Sequence, residues 1–100
     1  MTEFKRFSDF YPYYLAEHQN RMSRRLHVAG TALVLLTLVA AVATGRWLLL
    51  LAMPLFGYGF AWIGHFVFER NRPATFRHPL YSLLGDFALF RDVVTGRIPF

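Results

Sequence analysis

Four histidines are the residues of this chain best suited to chemistry, because imidazole binds transition metals and exchanges protons near neutral pH. They are His18, His27, His65 and His78. His65 and Glu69 are four residues apart, so on a helix they lie on one face, one turn from each other. Two ligands on adjacent turns can reach one ion, and this spacing suits a metal site. Alone it is a weak signal, since an apolar-flanked histidine is more often bonded to a backbone carbonyl.

Two long uncharged segments must position these histidines. Residues 26–45 and 47–68 contain no Asp, Glu, Lys or Arg, and Arg46 separates them. A bilayer core requires roughly 20 apolar residues, so these segments predict two membrane-spanning helices, at about 26–44 and 47–68, joined by a tight turn. The alternative is a soluble bundle with two fully buried helices. We disfavour it, because 100 residues cannot easily cover two such helices on all sides.

The hairpin brings the histidines to one depth. His27 lies 18 residues before the Gly45-Arg46 turn and His65 lies 19 residues after it. At about 1.5 Å per residue, both are roughly 27–29 Å from the turn. His18 precedes the first span and His78 follows the second, so both lie just outside the spans at the end of the hairpin opposite the turn. Ionisable residues at this depth are costly and usually functional, so the joint pattern predicts a metal site.

One geometric condition applies to this site. His18 and His27 are nine residues apart, which puts them on opposite faces of one straight helix. They can share a site only if the helix breaks or bends between them, near residues 20–23. Otherwise one of the two histidines has a structural role.

Two further helices are predicted beside the hairpin. One covers about 12–25 with Pro12 in its first turn, and the other covers about 79–95 and opens at Pro79. Both are predicted to lie in the membrane interface, because they combine aromatic or apolar residues with charges. The fold class is therefore all-α integral membrane, in a single helical domain, 1–100. The predicted apolar face of the last helix comprises Leu80, Leu83, Leu84, Phe87, Phe90 and Val94.

The positive charges flank the apolar spans. Five Lys and Arg residues precede the first span, Arg46 lies between the spans, and five follow the second. This pattern predicts that both termini are cytoplasmic. A net charge of +5 would suggest nucleic acid as the partner of a soluble protein. Here the arginines are placed to meet lipid headgroups, so the predicted partner is a lipid bilayer and not nucleic acid.

Two motifs connect the chain to a known family. The first comprises Phe10-Tyr11-Pro12-Tyr13-Tyr14-Leu15, Glu17-His18-x-Asn20 and Arg24-x-x-His27-x-x-Gly30. The second is Gly64-His65-x-x-x-Glu69-x-Asn71-Arg72-Pro73-Ala74-Thr75-Phe76-x-His78-Pro79-Leu80. Over roughly residues 7–95 the chain resembles a family of small integral-membrane proteins, long catalogued as a domain of unknown function. Its fungal member is a 2-hydroxy-fatty-acid dioxygenase of the endoplasmic reticulum.

The resemblance implies an enzyme of fatty-acid α-oxidation that holds iron(II), Fe(2+). Such an enzyme uses O2 to shorten a long-chain 2-hydroxy fatty acid by one carbon. The motif histidines of the family fall on His18, His27, His65 and His78, so the resemblance implies that all four are catalytic and metal-binding. This chain is shorter than the fungal pattern and has fewer apolar segments, which favours a bacterial inner membrane over a reticulum.

Neighbouring polar residues extend this hypothesis. Imidazoles bind Fe(II) and leave positions open for a chelating 2-hydroxy acid and for O2. Arg72 or Arg77 is a candidate for holding the substrate carboxylate through paired hydrogen bonds, and contact with lipid headgroups explains either arginine equally well. The second N–H of each ligand imidazole requires an acceptor. The candidates for that acceptor are Glu17, Asn20, Glu69 and Asp86.

Two other interpretations stay open. One is a non-catalytic membrane interaction protein whose histidines only cap and pack, and it would tolerate His65→Gln with little loss. The other is a haem carrier with His27 and His65 as axial ligands on facing helices. The sequence also leaves open whether the chain forms a homo-oligomer.

Overall fold

The computed structural model describes residues 4–72 and 77–100. Within these ranges every regular element is helical, which confirms the all-α prediction. A 3₁₀ segment (Trp47–Leu51) runs directly into the third helix, and a π-helical segment (Gly64–Glu69) continues it. Residues 73–76, which belong to the second motif, lie outside the described part. The four α-helices are α1 (Phe7–Ala16), α2 (Arg21–Thr44), α3 (Ala52–Ile63) and α4 (Pro79–Val94).

A helical hairpin dominates the fold. The side chain of Asn20 caps α2, since its Oδ1 accepts hydrogen bonds from the N–H groups of Met22 (2.9 Å) and Ser23 (3.2 Å). The helix ends at Thr44 and is followed by Gly45, whose φ of 70° is left-handed. By length and composition, α2 and the returning segment Trp47–Glu69 could each cross a membrane. The spans predicted at 26–44 and 47–68 match these helices, except that α2 begins earlier.

The two arms of the hairpin make direct backbone contact at Gly30. A Cβ added there would lie 2.9 Å from the carbonyl oxygen of Phe56 and 2.9 Å from Cβ of Phe60. Small residues allow such close approach between packed helices, which explains the glycine at this position. Gly59 differs, because an added Cβ there meets nothing within 4 Å.

The limits predicted for the first helix were wrong. We expected one helix over 12–25 with Pro12 in its first turn, but α1 contains Pro12 in its interior and ends at Ala16. At the start of α1, the exposed guanidinium of Arg6 pairs with Asp9 of the first turn at 3.2 Å. The break follows from Asn20, because its capping side chain requires an extended backbone before α2.

Helix α4 agrees with the prediction over 79–95, but most of its predicted apolar face is exposed. Ser82 and Asp92 are buried against the rest of the protein, whereas Leu80 (65%) and Val94 (66%) are exposed. A helix on the surface of a soluble protein would bury its large apolar side chains and expose its polar ones. The outer face of α4 is therefore suited to an apolar environment.

A small aromatic core holds α1 against α4. Tyr11 links the two helices, since its hydroxyl donates to Oδ2 of Asp92 at 2.7 Å. Burial raises the pKa of Asp92, but the hydrogen bonds from Tyr11 and Arg91 lower it more, so the net pKa is below the ordinary value. This ion-stabilised contact fixes the position of the first motif. The fully packed core residues are Phe10, Tyr14, Val28 and Leu89.

Candidate metal centre

Three of the four histidines meet at one buried point. His18, His27 and His65 are 1%, 4% and 2% exposed, and one ligand nitrogen from each lies within 4.8 Å of the others. Their ring centroids are 4.2 to 4.9 Å apart. The rings come from three separate segments, the connection between α1 and α2, α2 itself, and the π-helical segment. Such a group of three donors could hold a metal ion.

A break in the helix brings His18 and His27 together. Residues 17–20 are not helical, slightly earlier than the predicted 20–23, and His18 lies within them. Arg24 holds this connection against α2, because its Nε donates to the carbonyl oxygen of His18 at 2.7 Å. The two rings, which a straight helix would place on opposite faces, therefore approach to 2.9 Å between their Nε2 atoms.

The π-helical segment positions His65. Such segments are rare and occur frequently at functional sites. Gly64 permits close contact with α2, since an added Cβ would lie 2.8 Å from Oγ of Ser23. The segment ends at Arg70, whose φ of 58° is left-handed, and the N–H of Asn71 donates back to the carbonyl oxygen of His65 at 3.0 Å. This return places the side chain of Asn71 beside the imidazole of His65.

Backbone carbonyls fix the protonation of two of the rings. Nδ1 of His18 donates to the carbonyl oxygen of Tyr14 at 2.6 Å, and Nδ1 of His27 donates to that of Ser23 at 2.8 Å. A carbonyl oxygen can only accept, so in both rings Nδ1 must carry the proton. In the neutral imidazole, Nε2 then carries no proton, and its lone pair is available to a ligand.

Asn71 has the same effect on the third ring. Its Oδ1 lies 2.7 Å from Nδ1 of His65, and its Nδ2 donates to the backbone oxygen of Glu17 at 3.2 Å. Because the amide nitrogen is committed to Glu17, the amide oxygen must be the group that accepts from His65. The proton of His65 is therefore on Nδ1, and its Nε2 is a lone pair as well.

This arrangement fits a bound cation. The Nε2 atoms of His18 and His27 face each other at 2.9 Å without a proton to share. Burial and the neighbouring His27 lower the pKa of His18 to about 2, which disfavours an imidazolium. Two nitrogens that bind one ion at about 2.1 Å with a right angle between them are about 3 Å apart. Three neutral imidazoles with accepted N–H groups suit a divalent transition metal such as iron or zinc.

A cavity of about 30 Å³ adjoins the three histidines. Tyr14 and Asp86 form part of its polar wall, and the hydroxyl of Tyr14 donates to Oδ1 of Asp86 at 2.5 Å. Burial raises the pKa of Asp86 to about 7 even though this hydrogen bond lowers it. The ring of Tyr14 also stacks on the imidazole of His18, with centroids 4.0 Å apart. Exposed side chains of α3 and α4 complete the outer wall, namely Tyr58, Trp62 and Leu83.

The position of Tyr14 depends on Gly85. A Cβ added at Gly85 would lie 2.6 Å from a ring carbon of Tyr14, closer than side chains pack. The phenol ring therefore lies directly on the backbone of α4. Because this ring stacks on His18, Gly85 indirectly sets the depth of one imidazole of the three-histidine group.

His78, the fourth predicted ligand, lies outside the three-histidine group. Its half-buried ring packs on the aromatic rings of Phe4 and Phe10, at centroid distances of 5.2 and 5.5 Å. Its carbonyl oxygen accepts from the N–H of Ser82 at the start of α4. The structure thus groups three of the four predicted histidines, and a ligand role for His78 stays a prediction.

The residues predicted to orient the imidazoles hold the surrounding scaffold instead. The N–H of Asn20 donates to Oε2 of Glu69 at 2.9 Å, which ties the start of α2 to the end of the π-helical segment. Glu17 accepts from Asn71, and Asp86 accepts from Tyr14. The acceptors of the imidazole N–H groups are therefore different from those expected. Asn71 has a sequence signal, since it belongs to the second motif, whereas a backbone carbonyl has none.

The arginines predicted to hold a substrate carboxylate lie at the surface. Arg72 and Arg77 are exposed and border residues 73–76, which the structure does not describe. In the described part of the chain, the cavity wall includes neither Arg72 nor Arg77. Their proposed role in substrate binding stays a prediction.

Comparison with protein families identifies the relationship suggested by the two motifs. Residues 4–98 match the Mpo1-like family, described as "2-hydroxy-palmitic acid dioxygenase Mpo1-like". The chain belongs to this family. The matched range includes the three grouped histidines and His78, so the resemblance inferred from the sequence is confirmed. No curated protein and no solved structure matches the chain.

Proposed function

We propose that this protein is an Fe(II)-dependent dioxygenase that shortens a 2-hydroxy fatty acid by one carbon. The observation that carries the proposal is the convergence of three buried, neutral imidazoles beside a small cavity. Membership of the Mpo1-like family, whose description names a 2-hydroxy-palmitic acid dioxygenase, supports the reaction class. The candidate donor set and the family membership thus both support the proposal.

The overall reaction balances with O2 as the oxidant. A 2-hydroxy acid and O2 give the acid one carbon shorter, CO2 and water. The bond between the carboxyl carbon and the hydroxyl-bearing carbon breaks, and these two carbons lose four electrons in total, which reduce O2 fully. No further reductant is needed, so the protein requires neither a flavin nor a nicotinamide for this stoichiometry.

His18, His27 and His65 would hold the iron. Bound Fe(II) would supply open coordination positions and the capacity to react with O2. The chain itself contributes the fixed tautomers, because Tyr14 O, Ser23 O and Oδ1 of Asn71 accept the three N–H groups. Burial of the rings keeps bulk water away from the donors. A histidine triad also suits zinc, which has no redox chemistry, so metal analysis of the active protein is part of the test.

The substrate would enter from a membrane. We propose that α2 and Trp47–Glu69 span a bilayer, that α1 and α4 lie in its interface, and that both termini are cytoplasmic. The large exposed apolar side chains of α4 and the distribution of arginines support this arrangement. A bacterial inner membrane is the proposed setting of this single domain. Since the cavity is too small for a long acyl chain, the tail would extend past Trp62 and Leu83 into lipid.

The two other interpretations predict different properties. A haem carrier needs space for a porphyrin between His27 and His65, but the ring of His18 lies against both, at centroid distances of 4.2 and 4.4 Å. A protein in which the histidines only pack would retain no metal. The facing Nε2 lone pairs of His18 and His27 would then lack compensation, which is unfavourable.

Oxygen uptake by the purified, detergent-solubilised protein tests the proposal. The protein is loaded with Fe(II) and given 2-hydroxyhexadecanoic acid, with His65→Ala as the paired variant. We expect substrate-dependent uptake, pentadecanoic acid as the product, and loss of both in the variant. With ¹⁸O₂, the new carboxylate should contain label. An iron-loaded protein without uptake would retain the metal site but exclude this substrate, and a folded protein that retains no metal would favour the packing interpretation.

A further inference from the structure

Ser82 has a buried hydroxyl and lies in the wall of the cavity beside the three histidines. The residue is 6% exposed, lines the cavity, and within the described ranges its Oγ has no hydrogen-bond partner. Buried polar groups without partners are rare in folded proteins and each calls for an explanation. A ligand oxygen in the cavity would supply the missing partner.

The other unpaired buried hydroxyl has a different explanation. Oγ of Ser23 also has no partner in the described part of the chain, but Ser23 does not contribute to the cavity wall. It lies where α2 crosses the π-helical segment, so close to Gly64 that an added Cβ would be 2.8 Å away. The small size of serine accounts for its presence there, whereas close packing of this kind does not account for Ser82.

Asp86 adds a complementary group one turn along α4. Residues i and i+4 share a helix face, and both Ser82 and Asp86 line the cavity. Oδ1 of Asp86 accepts from Tyr14, but a carboxyl group has further lone pairs in either protonation state, so it can accept a second hydrogen bond. Ser82 can donate. The pair therefore offers a donor and an acceptor to the same small space.

We propose that Ser82 and Asp86 bind the 2-hydroxyl group of the substrate and select 2-hydroxy acids over unsubstituted fatty acids. This inference rests on the proposed function. A hydroxyl both accepts and donates, so it can accept from Ser82 and donate to Asp86. The methylene group at the same position of an unsubstituted acid can do neither. Binding of the unsubstituted acid would leave the hydroxyl of Ser82 buried and unpaired. A site built to hydrogen-bond a substrate hydroxyl strongly rejects an analogue that lacks this group.

Equilibrium binding to the iron-loaded protein without O2 tests the inference, because no turnover occurs there. 2-Hydroxyhexadecanoic acid and hexadecanoic acid are titrated separately at one detergent concentration. The variants are Ser82→Ala and Ser82→Thr, which keeps a hydroxyl. Thr31→Val is the control, because Thr31 is equally buried, at 6%, but lies away from the cavity. If Ser82→Ala does not fold, Ser82→Cys replaces it as a weakly hydrogen-bonding isostere.

We expect the wild type to prefer the 2-hydroxy acid by at least tenfold. Ser82→Ala should reduce the ratio of the two affinities by about tenfold, the effect of one hydrogen bond. Ser82→Thr and Thr31→Val should retain the ratio. A wild-type preference that Ser82→Ala leaves intact would overturn the inference and leave the proposed function standing. Equal binding of both acids by the wild type would likewise overturn the inference alone, whereas binding of neither acid would overturn both.

Discussion

The Nε2 atoms of His18 and His27 lie 2.9 Å apart, although neither ring can donate a hydrogen bond to the other. Both rings donate through Nδ1 to backbone carbonyls, those of Tyr14 and Ser23. The fold therefore holds two lone pairs in contact, and the repulsion between them is relieved only by a positive charge. A cation at this point would stabilise the protein as well as equip it for chemistry.

Metal binding should therefore raise the melting temperature of the protein. Fe(II) added without O2 at about 100 times its Kd would contribute about 2.7 kcal/mol of stability, which corresponds to a shift of roughly 10–20 °C for a chain of this length. His18→Ala should abolish most of the shift, because it removes one of three ligands. Thermal unfolding in detergent, followed by circular dichroism, measures both. The same shift in His18→Ala and the wild type would count against the three-histidine centre.

His78 provides the contrasting variant. Its ring packs on Phe4 and Phe10 and lies outside the histidine group, so His78→Ala should retain the metal-induced shift and the bound metal measured by elemental analysis. His78→Phe, which keeps an aromatic ring against Phe4 and Phe10, should behave in the same way. Loss of metal in both variants would restore His78 as a fourth ligand, as the family motif implied.

Asn71 should affect metal affinity without contacting the ion. Asn71→Leu removes the acceptor for Nδ1–H of His65 and should weaken metal binding by about 10- to 100-fold. Asn71→Asp keeps an acceptor oxygen and should lose much less. Metal titration of the two variants compares the effects. Equal losses would mean that the amide group of Asn71, which donates to Glu17, matters more than its oxygen.

Gly85 should tolerate no side chain, in contrast to Gly59. In Gly85→Ala the new Cβ would meet the ring of Tyr14 at 2.6 Å, and overpacking of this kind costs about 1–3 kcal/mol. Gly59→Ala adds a Cβ in open space and should be neutral or stabilise its helix by up to about 1 kcal/mol. Thermal unfolding of the two variants tests this. If Gly85→Ala were as stable as Gly59→Ala, the ring of Tyr14 could not lie directly against the backbone of α4.

The membrane topology can be tested with single cysteines, because the chain contains none. Thr44→Cys lies at the tip of the hairpin and Thr95→Cys follows α4, and both positions are exposed. In whole bacterial cells, a membrane-impermeant maleimide should label the first and not the second. After lysis both should react. Labelling of Thr95→Cys in intact cells would reverse the proposed orientation.

The sequence predicted those features that depend on composition and on the rise of a helix. The uncharged segments located both candidate spans, and equal distances from the Gly45-Arg46 turn placed His27 and His65 at one level. Depth along a helix says nothing about position across the molecule, which is why His78 was grouped with the others. His18 reaches the other two histidines only because the helix breaks between α1 and α2. The capping side chain of Asn20 determines where this break ends.

The groups that orient the imidazoles were harder to predict. Two are backbone carbonyls, which every residue possesses, and no residue type marks them. The third, Asn71, is six residues after His65, a separation at which an α-helix would not bring the two side chains together. Only the wider π-helical turn and the left-handed Arg70 return Asn71 to the ring.

The use of main-chain acceptors has a consequence for how this site can evolve. A substitution at Tyr14 or Ser23 alters packing but leaves the carbonyl oxygen that selects the tautomer, because every amino acid supplies one. A substitution at Asn71 removes the corresponding oxygen unless aspartate replaces it. Selection on the tautomers should therefore act on a single codon, that of Asn71, while the codons for Tyr14 and Ser23 are free of this particular constraint.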